Sequence, residues 1–240
     1  MAGEKLRLDR LLANMGLGTR REVKQIIKEG RVLVDGEAAG DAGLIVDSAV
    51  QIISVAGQVI SYRKYIYLML HKPAGLISAT TDDRERTVVD LIGEDYRFYQ
   101  PFPVGRLDKD TEGLLLLTND GKWAHELTSP KKHVPKTYYV EMRGALRPAD
   151  AAAVRRGIAL GDFTSLPGEL TILRSGEQSA AQITIYEGKF HQVKRMMAAL
   201  GKEVTYLKRL SMGDLQLDER LKPGEYRELT VAELLLVKET

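Results

Sequence analysis

The sequence predicts an α+β fold, and three observations support this prediction. Leu8, Leu11, Leu12 and Met15 recur at i, i+3, i+4 and i+7, which is the spacing of an amphipathic helix. The four consecutive leucines at 114–117 form a short apolar run that is typical of a buried strand. Hydrophobic residues make up 44% of the 240 residues, so the chain can bury a core as one large domain or as a small domain followed by a medium one.

The N-terminal region is predicted to form two helices followed by short strands. Thr19 and Glu22 have the spacing of a capping box, which opens the second helix, and Gly30 suits its C-terminal cap. Strands are predicted at 31–34, 44–46 and 50–55, with a hairpin turn at Asp35-Gly36.

Basic residues are concentrated in this region. The first 35 residues contain eight lysines and arginines against five acids, although the net charge of the chain is only +2. Arg20, Lys24 and Lys28 lie at i, i+4 and i+8, so they form a basic stripe along the second helix. The stripe indicates a site-specific polyanion partner, and an ordinary solvated helix face is the alternative.

Composition excludes several classes of protein. Cysteine is absent, so we expect neither a disulfide framework nor a cysteine metal site, which fits a reducing cytoplasm. The first ten residues contain no apolar run, so no signal peptide is predicted. No stretch approaches the apolar length of a membrane span, and we expect a cytoplasmic protein without a membrane partner.

After a polar connection at 61–64, the pattern changes to longer strands and helices. Strands are predicted at 65–70, 136–140, 170–173 and 180–186. Helices are predicted at 123–127, 148–158 and 190–200, with a short helix or turn at 88–91. Gly201 suits the cap of the last of these helices.

The central feature of this region is a polar loop between Gly105 and Gly113. It contains Asp108 and Asp110, the four leucines follow it, and a turn at 119–121 ends the strand. A carboxylate held between rigid strands suits a nucleophile or an acid/base group. The alternative is that either aspartate merely caps the loop.

The same stretch resembles the catalytic motif of RNA pseudouridine synthases of the RsuA-like family. It reads G-R-L-D at 105–108 and D-T-E-G-L-L-L-L-T-N-D-G at 110–121. The resemblance implies that Asp108 is the essential catalytic residue. A second motif, K-T-Y at 136–138, implies a catalytic role for Tyr138, and a third, H-Q-V-K-R-M at 191–196, implies that Lys194 pairs with the catalytic carboxylate. One departure is H-K-P-A-G at 71–75, where the family usually has Asn in place of His71.

Residues 4–60 are similar to the S4 RNA-binding domain. The resemblance includes R-L-D-R-L-L at 7–12, G-R-V at 30–32 and V-D-G at 34–36. It implies an S4-like domain at 1–60, a linker at 61–64 and a catalytic domain at 65–240, the latter built on a mixed, mainly antiparallel sheet with flanking helices. The basic residues assigned to RNA binding are Arg7, Arg10, Arg20, Arg21, Lys24, Lys28, Arg31, Arg106, Lys131, Lys132, Lys136, Arg195 and Arg209.

The resemblance implies isomerisation of a flipped-out uridine in ribosomal RNA, without a metal or other cofactor. The RsuA-like match, especially N-D-G-K-W at 119–123 and H-Q-V-K-R-M-M at 191–197, implies the 16S RNA of the small subunit as the target. We expect the RNA to lie within partly assembled small subunits and the protein to be a monomer. A large-subunit 23S RNA is the nearest alternative target.

Two other classes of function remain open at this point. A non-catalytic RNA-binding or ribosome-assembly protein would keep the basic faces without needing Asp108. A metal-dependent nuclease would instead use Asp108, Asp110 and Asp120. A methyltransferase is not indicated, because no Gly-rich loop opens a parallel βαβ unit.

Overall fold

The chain forms two compact units. The computed structural model describes residues 5–48, 50–60 and 62–236, so residues 1–4 and 49 of the predicted first domain, residue 61 of the linker and residues 237–240 lie outside it. One unit comprises the described residues up to Ile66 together with Gly93–Gln100, and the other comprises Tyr67–Ile92 and the described residues from Pro101 onward. The segment Gly93–Gln100, placed by the sequence within 65–240, therefore groups with the first unit.

The first unit combines short helices with two small antiparallel sheets. Its elements are β1 (Lys5–Arg7), α1 (Leu8–Asn14), α2 (Arg20–Lys28), β2 (Val32–Val34), β3 (Glu37–Ala38), β4 (Ile45–Asp47), β5 (Ile53–Val55), β6 (Gln58–Ile60) and α3 (Glu94–Arg97). β1 pairs with β4, and the second sheet has the order β3-β2-β5-β6.

Local sequence signals account for the two helices of this unit. Leu8, Leu11 and Leu12 are buried in its core, as the helical spacing predicts. The predicted capping box is confirmed, because the Glu22 N–H donates to Thr19 Oγ1 at 3.3 Å and the Thr19 N–H donates to Glu22 Oε2 at 2.7 Å. These bonds partner two of the N–H groups that a helix N-terminus leaves unpaired.

The predicted basic stripe is exposed along α2. Arg20, Lys24 and Lys28 are all solvent-exposed, and so are Arg10 and Arg21. A second set of cations has partners within the unit: Arg7 forms two hydrogen bonds to the buried carboxylate of Asp9, both at 3.2 Å, and Arg31 lies 3.6 Å from Glu29.

The segment Gly93–Gln100 packs against the turn after α1. A Cβ added to Gly16 would lie 3.0 Å from the Phe98 Cβ, so only glycine allows this approach, and Gly16 also has a φ of +74°. The Tyr99 hydroxyl lies 3.8 Å from the sulfur of Met15. This packing is non-local in sequence, which is why the sequence boundaries missed it.

The second unit is built on one large sheet with flanking helices. Its elements are β7 (Tyr67–Lys72), β8 (Phe102–Pro103), β9 (Glu112–Thr118), α4 (Gly121–Thr128), β10 (Lys136–Arg143), α5 (Pro148–Arg156), β11 (Glu169–Arg174), β12 (Gln178–Ile185), α6 (Gln192–Ala199), β13 (Glu203–Met212), β14 (Leu215–Gln216), β15 (Tyr226–Glu228) and α7 (Val231–Leu236). The sheet has the order β11-β12-β10-β13-β9-β7-β15, with β14 on β13 and β8 on β9.

The pairing confirms the predicted α+β fold with a mixed, mainly antiparallel sheet. Only β13 and β9 run parallel among the paired strands that the structure describes. At their junction a Cβ on Gly113 would lie 2.2 Å from the Arg209 carbonyl oxygen, so this position requires glycine. All four leucines of β9 are fully buried, because both faces of this central strand are covered.

Several predicted boundaries shift in the structure. β7 continues through His71 and Lys72, beyond the strand predicted at 65–70, and the His71 Nδ1–H donates to the Leu221 carbonyl at 2.7 Å. The helix predicted at 190–200 begins at Gln192, because His191 has a φ of 49° and cannot be helical. No helix in the described parts of the chain is long and apolar enough to cross a membrane.

Candidate active site

A buried lysine forms hydrogen bonds to the loop that carries Asp108. Lys72, at the end of β7, donates from Nζ to the carbonyl oxygens of Pro73 at 3.0 Å, Lys109 at 3.2 Å and Thr111 at 2.9 Å. An ammonium group has three donors, so these three carbonyls use its full capacity. Burial lowers the Lys72 pKa to about 8, although the nearby carboxylates, Asp110 foremost, oppose this shift.

Two further contacts fix the same loop from the chain that follows β7. Ser78 Oγ donates to the Leu107 carbonyl at 2.9 Å and accepts from the Leu107 N–H at 3.0 Å. The Gly75 N–H donates to the Lys109 carbonyl at 2.7 Å. Backbone atoms on both sides of Asp108 are thus restrained, so its carboxylate has a defined position.

Asp108 lies beside the cation that the third motif predicts. The Lys194 Nζ, on α6, is 3.3 Å from Asp108 Oδ2 and donates to Asp110 Oδ1 at 2.6 Å. The Asp108 side chain is 25% exposed and that of Asp110 is 71% exposed. Lys194 therefore bridges a partly buried carboxylate and an exposed one, and its hydrogen bond lowers the pKa of Asp110.

Tyr138 lies on β10 and shares a pocket with Asp108. Its side chain is only 7% exposed, and Arg106, Ile185 and Leu207 also line this pocket. The pocket thus combines one carboxylate, one aromatic ring and an apolar wall. A planar heterocycle can stack on a tyrosine ring in such a setting while its polar edge meets the carboxylate.

Sequence reasoning did not single out His191, which lines the pocket, or Phe190, which stacks on His191. The His191 Nε2 is 3.6 Å from Asp108 Oδ1, and its ring stacks on Phe190 with centroids 3.8 Å apart. The Phe190 side chain is 74% exposed, which is unusual for a large apolar residue. His191 begins the third motif, so the motif itself was the signal that could have found it.

The predicted RNA-contact residues of this unit divide into two groups. Arg106, Lys131 and Lys132 are exposed, and Arg106 lines the pocket. Arg195 and Arg209 have partners within the chain: Arg195 forms an ion pair with Asp162 and donates to the Leu160 carbonyl, while Arg209 is buried and donates to the Leu114 carbonyl. Lys136 is partly buried, since its Nζ donates to the Val134 carbonyl at 2.7 Å.

The three aspartates of the nuclease alternative do not converge on one site. Asp120 caps α4 by accepting the N–H groups of Lys122 and Trp123, each at 3.1 Å, and it accepts the Tyr67 hydroxyl at 2.8 Å. In the described residues no group of three or more histidines and carboxylates has the arrangement of a metal site.

Two family models match different parts of the chain. A family model described as RNA pseudouridylate synthase matches residues 66–199, more than half of the chain, and the S4 domain model matches residues 6–52. The chain belongs to the RNA pseudouridylate synthase family. It is of the RsuA-like type, in which an S4 domain precedes the synthase domain, and it is an RNA pseudouridine synthase.

Relatives of this pseudouridylate synthase match over almost their full length. An uncharacterized RNA pseudouridine synthase of Bacillus subtilis (strain 168) is 50% identical, covering 98% of this chain and 99% of the relative. Ribosomal small subunit pseudouridine synthase A of Vibrio parahaemolyticus is 39% identical (95% and 98%), and ribosomal large subunit pseudouridine synthase B of B. subtilis is 38% identical (95% and 93%). A crystal structure of a pseudouridylate synthase matches with a TM-score of 0.68 at 35% identity, covering 97% of this chain and 99% of the other.

Proposed function

We propose that this synthase isomerises a specific uridine in ribosomal RNA to pseudouridine with Asp108 as the essential carboxylate. The observation that supports this proposal is the shared pocket of Asp108 and Tyr138, with Lys194 within ion-pair distance of the carboxylate. The reaction breaks the N-glycosidic bond, turns the uracil over and joins its C5 to the ribose. An ionised carboxylate serves this chemistry whether it attacks the sugar, attacks the base ring or assists elimination.

Lys194 is proposed to orient Asp108 and to balance its negative charge. The ammonium lies 3.3 Å from the carboxylate, and its second bond to Asp110 restrains the ammonium itself. The role of Asp110 in this arrangement is to hold Lys194, because its own carboxylate faces solvent.

Tyr138 is proposed to stack on the uracil and to take part in proton movement through its hydroxyl. A uridine must leave its helical stack to reach a pocket inside the protein, which costs a few kcal/mol. Arg106 is exposed at the rim of the pocket, where it can hold the RNA backbone or fill the space that the base vacates.

We propose the 16S RNA of partly assembled small subunits as the substrate and a monomer as the active form. The match to a small-subunit synthase supports this target, together with the stretches at 119–123 and 191–197. The large-subunit relative is almost as similar, so 23S RNA is the second candidate substrate. The exposed cations of α2 and of the turn at Pro130–Lys132 are proposed to contact RNA phosphates.

The decisive variant is Asp108→Asn, because asparagine preserves size and hydrogen bonding but not charge. Activity should fall by several orders of magnitude while the fold and the RNA affinity survive. If Asp108 were only a loop cap, the substitution would change stability by less than ~1 kcal/mol and leave turnover intact.

Asp110→Asn is the matched control, because it also removes a carboxylate from Lys194. Activity should fall far less than in Asp108→Asn, because Lys194 keeps its contact with Asp108 and loses only part of its restraint. Pseudouridine would be mapped by chemical labelling and reverse-transcription stops on free 16S and 23S RNA and on partly assembled subunits, with EDTA present to exclude metal chemistry. Near-normal turnover of Asp108→Asn would remove the proposed mechanism, and a wild-type protein inert on every substrate would favour a binding module.

A further inference from the structure

A second pocket lies next to the Asp108 pocket and shares Arg106 and Tyr138 with it. Its volume is about 190 Å³, far more than one water molecule occupies. Lys136 and Arg209 line it as well. This cavity, lined also by Gly105, Ser129 and Gly188, is called the Arg209 pocket below.

Arg209 brings an incompletely paired guanidinium to this pocket. The residue is 2% exposed, and its Nε donates to the Leu114 carbonyl at 2.8 Å. Within the described parts of the chain, its Nη2 atom is buried without a hydrogen-bond partner. An arginine keeps its charge even when buried, so an unpaired guanidinium nitrogen is costly unless a ligand completes it.

Lys136 is a further cation on the wall of the same pocket, which Arg106 and Lys189 also line. Burial is the main cause that lowers the Lys136 pKa to about 8, and repulsion by Arg209 is the second cause. Glu187 is the one acidic residue among the described residues that line the pocket. Its Oε1 already accepts from the Leu166 N–H at 2.9 Å and from Gln192 Nε2 at 2.7 Å, so much of its bonding capacity is used within the chain.

We infer that the Arg209 pocket binds one of the two RNA phosphates attached to the flipped-out uridine. The inference rests on the proposed function, because it places the base of that nucleotide against Tyr138 and Asp108. A phosphate presents several negatively charged acceptor oxygens, which complement the positive charges of Arg209 and Lys136 on the pocket wall. Shared walls place this anion site next to the pocket that would hold the reacting base.

The pocket therefore positions the substrate by its backbone rather than by its sequence. Surface lysines could hold the RNA in many registers, whereas a buried guanidinium binds a phosphate in one place. A phosphate bound here would position the attached uridine with its base toward Asp108. This positioning requires no contact with the neighbouring bases.

Mononucleotides test the pocket without any turnover. The dissociation constants of uridine, uridine 5′-monophosphate and uridine 3′-monophosphate would be measured by NMR titration with the whole protein. One of the two monophosphates should bind at least tenfold more tightly than uridine. That preference should disappear in Arg209→Met, and it should remain in Lys208→Met, where the neighbouring lysine on β13 points to the opposite sheet face.

Lys136→Met serves as the second variant, because Arg209→Met also gives up the bond to Leu114 and could fail to fold. It should reduce the same preference severalfold. A wild-type protein that does not distinguish the three ligands, or pocket variants that keep the full preference, would overturn the inference. Failure of the proposed function would look different, since monophosphate preference would persist in a protein that makes no pseudouridine on either ribosomal RNA.

Discussion

Lys194 is the residue whose geometry most directly links the fold to the chemistry. It reaches Asp108 at 3.3 Å from the first turns of α6, and it is restrained by the shorter bond to Asp110. Because Asp108 and Lys194 come from loops and helices far apart in the chain, only the folded sheet brings them together. Lys194 acts through Asp108 in our proposal, so its loss should be visible in the chemical step.

We expect Lys194→Met to lower the single-turnover rate on saturating RNA by on the order of 100-fold, with little change in RNA affinity. Lys194→Arg should recover part of the rate, because it retains a cation. Arg195→Met is the control, since the neighbouring cation pairs with Asp162 instead. A Lys194→Met variant with a normal rate but weak RNA binding would reduce Lys194 to a phosphate contact.

At this scale the motifs predicted the key residues better than their surroundings. The resemblance pointed to Asp108, and the structure places Lys194 and Tyr138 around it. The supports of the loop, Lys72 and Ser78, were not predicted, because a lysine before a proline carries no sequence signal of donating to carbonyls 37 and 39 residues away. Burial of this kind depends on tertiary packing.

The Asp108 loop has a defined backbone conformation, because Lys72 at the end of β7 donates hydrogen bonds to its carbonyl groups. Lys72→Met should remove the ammonium that donates to the Lys109 and Thr111 carbonyls of the loop and to the Pro73 carbonyl, while nearly preserving side-chain volume. Leaving carbonyl oxygens unpaired in a buried site costs about 2 kcal/mol or more in unfolding free energy, and a looser loop should lower turnover. Urea unfolding and single-turnover rates would measure both effects.

Lys109→Met is the matched change on the same loop, since the Lys109 side chain is half exposed and pairs with Glu85. It should leave both the stability and the rate near wild type. Equal rates for the two variants would mean that Lys72 does not position Asp108.

An ion pair connects helix α7 to the sheet. Arg227 on β15 donates to Glu233 at 2.6 and 2.9 Å and to Asp218 at 2.7 Å. The pairing with Arg227 lowers the Glu233 pKa from 4.5 to about 2. In the unfolded chain the carboxyl takes up its proton near 4.5, so its contribution to stability is present above that pH and is lost as the pH falls toward 2.

We therefore expect the wild type to lose on the order of 2 kcal/mol more stability than Glu233→Gln between about pH 5 and about pH 2.5. Unfolding by urea, followed by circular dichroism at several pH values, would measure this difference. Glu219→Gln, an exposed substitution nearby, should follow the wild-type curve. Identical pH dependence for wild type and Glu233→Gln would exclude a stabilising role for this ion pair.

Elements with a strong periodic or local signal were predicted well. α2 had its capping box and β9 its four leucines, and both formed as expected. The elements α3 and β6 were missed, because each is only three or four residues long and neither has an alternating apolar pattern. Their conformation depends on the neighbours that they pack against or pair with.

For the whole molecule, the exposed stripe on α2 is expected to supply affinity and not chemistry. Replacing Arg20, Lys24 and Lys28 together by Gln should weaken RNA binding and make it less dependent on salt. The slope of log binding constant against log salt concentration should become shallower by about 0.9 for each phosphate that the protein no longer neutralises. The rate on saturating RNA should not change. Neutralising Arg155 and Arg156 on α5 is the control, and an equal drop in affinity for both variants would remove any special role for the stripe.

Substitution is a cleaner test of this role than deletion. Removing residues 1–60 would also uncover Phe98 and Tyr99, which pack against Gly16 and Met15. Exposed aromatic side chains promote association, so a shortened chain would report on solubility as well as on RNA binding.

The placement of Gly93–Gln100 bears on how such a protein can be cut or recombined. The chain passes from the first unit to the second after Ile66, returns after Ile92 and leaves again after Gln100. A protease that nicks the connection at residues 62–66 therefore leaves an eight-residue piece of the first unit covalently attached to the second. If related enzymes exchange the first unit, this internal segment has to be exchanged with it. Otherwise other side chains have to replace its two aromatic residues.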